Sequence, residues 1–363
     1  MYGDVAENPD AGLRVQSSKV DLSEAGFGAY VTYAGFTGSG THSVFAFGDG
    51  RLGWMAVDEG PEKMELTEPL GATPLTGVPD IDGRSVLIGT DDGRLLTFAP
   101  ETGTAELASI PGAWIEQVAS HPRAGLRAFS AGRGVYVLDQ NGTTLAVFDD
   151  HPSTVAGLSF SPDGDRLAAA HYDGVSIWAV NDPDLSKTEP ETLEWHGSHT
   201  AVSWSPDGQF IVTAMQDKEM HCWKMPEKTD MKMSGYPSKI RSLAWTPDSA
   251  YIAASGAGGV TSWCCKGKGP SGKPPLEFGY VYEGIVTQVA AHPENGMLVG
   301  GYDDGTVMIG VIEKEEAAIA RAADGNPITC LAFSPDGQSL VCGSENGTVG
   351  IINILEPLIE PLA

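Results

Sequence analysis

Three stretches of this chain nearly superimpose: GLSFSPDGDRLAAAHYDGVSIW (157–178), AVSWSPDGQFIVTAMQDKEMHCW (201–223) and CLAFSPDGQSLVCGSENGTVGII (330–352). A fourth, SLAWTPDSAYIAASGAGGVTSW (242–263), differs only at its first turn. Each holds an alternating run, a Pro-Asp-Gly type of turn, a short small-residue run, a second turn and a further apolar run. Period-two alternation between turn residues means strands joined by hairpins. Asp-Gly and Asn-Gly reach positive φ at little cost, which is why they mark the second turn.

Followed along the chain, the second turn falls at Gly50, Gly93, Gly134, Gly174, Lys218, Gly259, Gly305 and Gly347, at intervals of 40 to 46 residues. Four strands in such a period are the mark of a β-propeller blade, and no helix-period segment of useful length interrupts them. Stretches between the units supply fourth strands, among them TAELASI (104–110), TTLAVF (143–148) and LEFGYVY (276–282). The eighth unit runs out of chain soon after TVGIINI (348–354), while LRVQSSKVDL (13–22) precedes the first unit without a partner. Pairing the two closes the ring and removes both exposed edges. The expected fold is all-β: one propeller domain over 1–363 with eight four-stranded blades, the closing strand at about 13–22 and the last blade at about 327–355. Seven blades is the alternative, should the degenerate first unit not be one.

At the Ser-Pro-Asp-Gly turns and at Trp178, Trp223 and Trp263 the chain resembles the WD40-like propeller family over about residues 13–355, by motif in units four to eight and by spacing before that. Where that family places Asp after Trp, this chain has Ala179, Lys224 and Cys264. The resemblance implies a side-chain tetrad, matched best in unit five by Thr213, Asp217 and Trp223 with His199 or His196. Residues 193–245 also look like uncharacterised bacterial single-chain WD40-like proteins, often found beside metal-chaperone GTPases. That association keeps a metal-homeostasis carrier or partner as the alternative function.

Residues 267–275, GKGPSGKPP, place Gly267, Gly272 and Lys273 at the spacing of a phosphate-cradling loop. Such a loop needs a following Ser or Thr and a helix N-terminus to hold phosphate. Pro274 and Pro275 follow instead, and then a strand pattern. The stretch reads as a connection between strands, and its Lys266, Lys268 and Lys273 as a solvated loop or a docking patch for an acidic partner.

Charge narrows the partners. With 22 Lys and Arg against 48 Asp and Glu, the formal net charge is −26. Such a surface repels nucleic-acid backbones and anionic membranes, although solubility alone also explains it. The chain shows neither a signal-peptide start nor an 18-residue apolar run, and a monomer is expected. Five cysteines, Cys222, Cys264, Cys265, Cys330 and Cys342, suit a reducing cytoplasm better than a disulfide framework. Adjacent strand residues point to opposite faces, so neither Cys264–Cys265 nor His221–Cys222 easily grips one ion. The methionine-rich stretch with Met215, Met220, Met225, Met231 and Met233 reads as adaptable packing. The NGT sequences at 141–143 and 346–348 read as turn chemistry.

No metalloprotease or nucleophile-elbow motif is present, which points away from an enzyme. The most pointed polar cluster is EWHGSH (194–199), read as the connection entering unit five on the face that carries the second turns. Around the channel mouth this face is expected to gather His171, Tyr172, Trp195, His196, His199, Met215, Gln216, Tyr236 and Lys239. The function that follows is a non-catalytic scaffold binding a protein or peptide there, around blades four to six, with no cofactor. Trp195, Tyr236 and Tyr172 would anchor the partner. The alternative carrier would use His171, His196 and His199.

Overall fold

The computed structural model describes residues 20–355 apart from 183, 186, 187 and 315. Of the proposed closing strand, residues 13–19 therefore lie outside the described residues.

Among the described residues thirty strands follow one another with almost nothing helical between them. After β1 (Val20–Gly26), the first unit is β2 (Val31–Phe36), β3 (His42–Phe47), β4 (Leu52–Ala56) and β5 (Glu65–Leu66). The second is β6 (Pro74–Pro79), β7 (Val86–Thr90), β8 (Arg94–Ala99) and β9 (Gly103–Ser109). The third is β10 (Gln117–His121), β11 (Leu126–Ala131), β12 (Gly134–Leu138) and β13 (Thr144–Phe148). Units four and five share β14 (Gly157–Phe160), β15 (Arg166–Ala179), β16 (Glu191–Trp204), β17 (Phe210–Met215), β18 (Glu219–Lys224) and β19 (Thr229–Met233). Unit six is β20 (Leu243–Trp245), β21 (Tyr251–Ala254), β22 (Val260–Cys264) and β23 (Leu276–Phe278). Unit seven is β24 (Val286–Ala291), β25 (Met297–Tyr302), β26 (Val307–Val311) and β27 (Glu316–Arg321). The last sheet is β28 (Ile328–Phe333), β29 (Ser339–Ser344) and β30 (Thr348–Ile354), completed by β1.

These strands form seven hydrogen-bonded sheets, six of four strands and one of six. By its sheets the molecule is a seven-bladed propeller, which corrects the expectation of eight four-stranded blades. The degenerate first unit is not the cause, since β2 to β5 form a complete sheet. Units four and five instead share one ladder. β15 turns at Asp173 (φ 68) and Gly174 (φ 146). Its first half pairs with β14 and its second with β16, and Val180 N–H donates to Asp165 O at 2.8 Å across its ends. β16 bends at Gly197 (φ 129), with Glu191–Glu194 paired to β15 and His199–Trp204 to β17. Between them only residues 195–197 are unpaired, since Ser198 still pairs with Tyr172 of β15, and so short a stretch cannot leave the ladder. The wide sheet is creased there, and its halves pack face to face through Ala168, Ala170, Val175 and Ile177 against Val202, Trp204, Ile211 and Trp223.

Ring closure follows the expected logic, in that β1 runs antiparallel to β30 from Val20↔Ile354 to Gly26↔Thr348. Arg321 Nε donates to Glu24 Oε1 at 2.5 Å, and Thr329 Oγ1 to Val31 O at 2.7 Å, tying the seam to both neighbouring units. Gly347 (φ 86) is required there, because a Cβ would lie 2.5 Å from Ala29 N. Each successive pair of units, and the last with the first, shares an apolar cluster built from alternate strand residues. Fully buried Phe45 and Phe98 each contribute on the order of 1.5–3 kcal/mol of transfer free energy.

Candidate functional site

Strands alternate in direction around the ring, so the first turn of each unit and the link from third to fourth strand lie on one face. The second turn and the link to the next unit lie on the other. The first strands line a central cavity of about 660 Å³, with Thr32, Thr76, Gln117, Gln288 and Thr329 among its walls. None of the nine expected binding residues lines it.

Four of them meet elsewhere. His171, Tyr172, Trp195 and His196 line a separate cleft of about 690 Å³, set against the third and fourth strands of unit four rather than at the channel mouth. Its position follows from the crease, since Trp195 and His196 stand on β16 just before its bend at Gly197. EWHGSH is thus continuous strand with a bend, not the free connection expected. His196 Nδ1 lies 2.8 Å from Asp173 Oδ1, the same oxygen that accepts the Gly197 N–H at 3.1 Å. The Tyr172 ring stands edge-on to His196 at 5.7 Å. Trp195 stacks on His221 at 3.9 Å and 22°.

The other expected contacts divide by burial. His171, His199, Met215 and Tyr236 are buried, while Tyr172, His196, Gln216 and Lys239 are exposed and Trp195 is partly so. Each buried polar side chain has internal work. His171 is bonded through its two ring nitrogens to Tyr172 O (2.8 Å) and Ser176 Oγ (2.9 Å). His199 is bonded to Thr213 Oγ1 (2.8 Å) and Trp195 O (2.9 Å), which holds the crease. Burial keeps both imidazoles below their ordinary pKa. Tyr236, expected as an anchor, accepts Trp263 Nε1–H at 2.8 Å and donates to Met220 Sδ at 3.2 Å, and burial pushes its phenol up. It is a packing residue, because its hydroxyl has partners only inside the sheet pair.

Of the tetrad candidates, His199 and Thr213 are in contact, and Trp223 lies 5.9 Å from His199 between ring centres. Asp217 is exposed and not hydrogen-bonded to His199, so the tetrad is incomplete. Beneath Trp195, fully buried His221 has no hydrogen bond on either nitrogen, and burial lowers its pKa to about 4. Asp230 Oδ2, at 3.6 Å, is too far to bond it.

Sequence reasoning missed the most exposed aromatics. Tyr280 (65% exposed) and Tyr282 (79%) were read as strand, but β23 ends at Phe278 and both lie in the link to unit seven. Trp114 (61%) and Tyr30 (47%) lie in the equivalent links entering units three and one, and Tyr172 (43%) in the second turn of unit four. All five project from the same face. The signal available was the turn glycine: Gly279, at φ 67, ends the alternation before Tyr280.

Residues 267–275 form the irregular connection expected, with no helix. Lys273 Nζ folds back to Lys266 O (2.7 Å) and Cys264 O (3.3 Å), and Lys266 pairs with Glu313 at 2.9 Å. All five cysteines are free, and among the described residues no three His, Cys, Asp or Glu converge as a metal site. No helix among the described residues is long and apolar enough to cross a membrane.

Sheets joined in a ring, with the amino-side strand zipped into the last one, define a closed β-propeller repeat protein. Four stretches, residues 142–176, 188–224, 228–263 and 320–353, match the family described as WD domain, G-beta repeat. Each match begins near a fourth strand and ends in the third strand of the next unit, the one-strand offset that makes closure by β1 necessary. Over those stretches this β-propeller carries WD40-type repeats.

Its relatives include WD repeat-containing protein 55 of Mus musculus, 27% identical over 54% of this chain and 51% of that protein. The serine-threonine kinase receptor-associated protein of Gallus gallus is 24% identical over 74% of this chain and 72% of its own. The chain spans about half the length of the first of these. The crystal structure of the C-terminal WD40 domain of Sif2 superimposes with a TM-score of 0.72 at 12% identity, covering 92% of this chain and 98% of that one, a likeness of fold. WD40 repeat proteins are generally non-catalytic scaffolds that bind protein partners. The relatives named are eukaryotic and add nothing to the comparison with a bacterial group.

Proposed function

We propose that this propeller is a non-catalytic interaction scaffold that takes a protein or peptide on its second-turn face around units four to six. The observation that carries this reading is the placement of the exposed aromatics. Tyr172 in unit four and Tyr280 and Tyr282 at the exit of unit six stand on that part of the face, while Tyr30 and Trp114 extend the aromatic surface to units one and three. Large amphipathic rings on a rigid frame are what protein-binding surfaces use, because they add contact area while losing little rotamer freedom. Tyr172, Trp195, His196, Gln216 and Lys239 are the contact residues. His171, His199, Met215 and Tyr236 support them from beneath. Free thiols throughout support a reducing compartment, the cytoplasm.

The carrier alternative draws no support from geometry, since both ring nitrogens of His171 and His199 are already engaged. The test is a comparison of affinity-captured partners from the native host. The triple variant Tyr172→Ser, Tyr280→Ser, Tyr282→Ser should lose the partner that the unaltered protein retains, with its melting temperature within two degrees or so. Undiminished capture places the contact elsewhere.

A further inference from the structure

The cleft beside the crease has a composition that selects one kind of guest. Among its lining residues are three carboxylates, Asp150, Asp173 and Glu194, and no lysine or arginine. Two of its walls are aromatic, Tyr172 and Trp195. Asp173 already holds His196, whereas Asp150 and Glu194 form no ion pair with any described residue. Both are exposed while the cleft is open to water.

A guest that covers this cleft must displace that water. An apolar or anionic group would leave carboxylates desolvated and unpaired, at a cost of several kcal/mol. A cationic group reverses the sign, pairing with the free carboxylates and meeting the negative ring faces of Tyr172 and Trp195. A hard metal ion is a poor match, for it needs about six close oxygen ligands and no such convergence exists among the described residues. The chain's net charge of −26 attracts a cationic partner from a distance as well. The cavity volume, about 690 Å³, lies within the range of side-chain and small-ligand pockets.

We propose that the cleft formed by Asp150, Tyr172, Asp173, Glu194 and Trp195 receives an arginine or lysine side chain from the docked partner. This rests on the scaffold reading and names the chemistry of its partner, a segment rich in basic residues. Arginine suits the cleft better than lysine, because its planar group stacks on a ring while its edge pairs with carboxylates.

The test uses a fluorescein-labelled hexa-arginine peptide, with hexa-citrulline as its neutral isostere, titrated into the full chain at fixed salt. Hexa-arginine should bind at least tenfold more tightly than hexa-citrulline. The Asp150→Asn, Glu194→Gln double variant should weaken it at least tenfold. Glu283→Gln with Glu345→Gln, which removes as much charge from the same face far from the cleft, should change it less than twofold. Equal loss in both double variants would reduce the effect to general acidity and overturn the proposal, as would equal binding of the two peptides. Melting temperatures of all variants exclude unfolding as the cause. If the peptide result fails while partner capture still depends on Tyr172, Tyr280 and Tyr282, the cationic cleft is wrong and the docking face stands.

Discussion

The two faces of the ring are built by different rules. On the first-turn face units four, five, six and eight repeat one another in chemistry. Ser161, Ser205, Thr246 and Ser334 donate to Asp163, Asp207, Asp248 and Asp336 at 2.5–2.7 Å. In each turn the same carboxylate oxygen accepts the N–H two residues on. Neighbouring turns also touch, as where the Asp207 N–H donates to Ser249 Oγ at 3.0 Å. On the second-turn face a like rule holds in units one, two, seven and eight, where Asp49, Asp92, Asp304 and Asn346 accept the N–H two residues on. Units three to six depart from it, and links there vary from the three-residue crease at 195–197 to the tyrosine-bearing stretch before β24. The difference teaches that in units four to six the first-turn side spends its polar groups on itself and fixes the ring, while the second-turn side leaves rings and carboxylates free for something else.

If that division is right, the largest stability effects belong to the first-turn side. Asp80, in the first turn of unit two, is bidentate with Arg127 of unit three at 2.6 and 2.9 Å, and both are buried. Arg127→Ala strands a buried carboxylate and should cost about 3–5 kcal/mol in urea denaturation. Arg127→Met with Asp80→Leu should recover much of that, since an apolar pair needs no partner. A loss below 1 kcal/mol for the single change would break the contrast.

The next effect tests the underside of the irregular face. His221 is held neutral by burial, with its pKa near 4 against an ordinary 6.5. The unfolded chain therefore takes up this proton first as pH falls. The corresponding stability is complete above pH 6.5 and declines towards pH 4, by on the order of 3 kcal/mol. His221→Phe should flatten that part of the stability profile, and an unchanged profile would show that His221 finds a proton acceptor in solution.

A smaller loss belongs to a single repeated turn. Ser334→Ala removes the bond to Asp336 and the one its hydroxyl accepts from the Ser339 N–H, and should cost about 1–2 kcal/mol. The Ser334 hydroxyl holds the Asp336 carboxyl below its usual range, so the same variant should titrate Asp336 upward by NMR. Smallest of all, Tyr280→Ser with Tyr282→Ser should change stability by less than about 0.5 kcal/mol, because neither side chain is covered. A large loss there would mean that these rings serve the fold.

How much of this was legible follows the same division. The first-turn chemistry is local, a hydroxyl and a carboxylate two residues apart, so Ser-Pro-Asp-Gly could be read as a turn without its neighbours. Rejection of the phosphate-loop reading at 267–275 was local too, since two prolines and a strand pattern suffice. Tyr236 shows the limit: it is expected at the channel mouth as an anchor, and only Trp263, 27 residues on, supplies the bond that holds the ring inside. Tyr280 shows it in reverse, as an apparent strand residue left outside by a strand that stops early.

The amino-acid order by itself determined an all-β ring of repeated units and its closure by the two ends, because period and turn chemistry act over a few residues. The tertiary structure decided that units four and five share a ladder, making seven sheets. It also decided which aromatics are covered and where three carboxylates face one cleft. Those outcomes depend on connection length, backbone bends and the neighbouring layer, and burial is a property of the neighbour as much as of the residue.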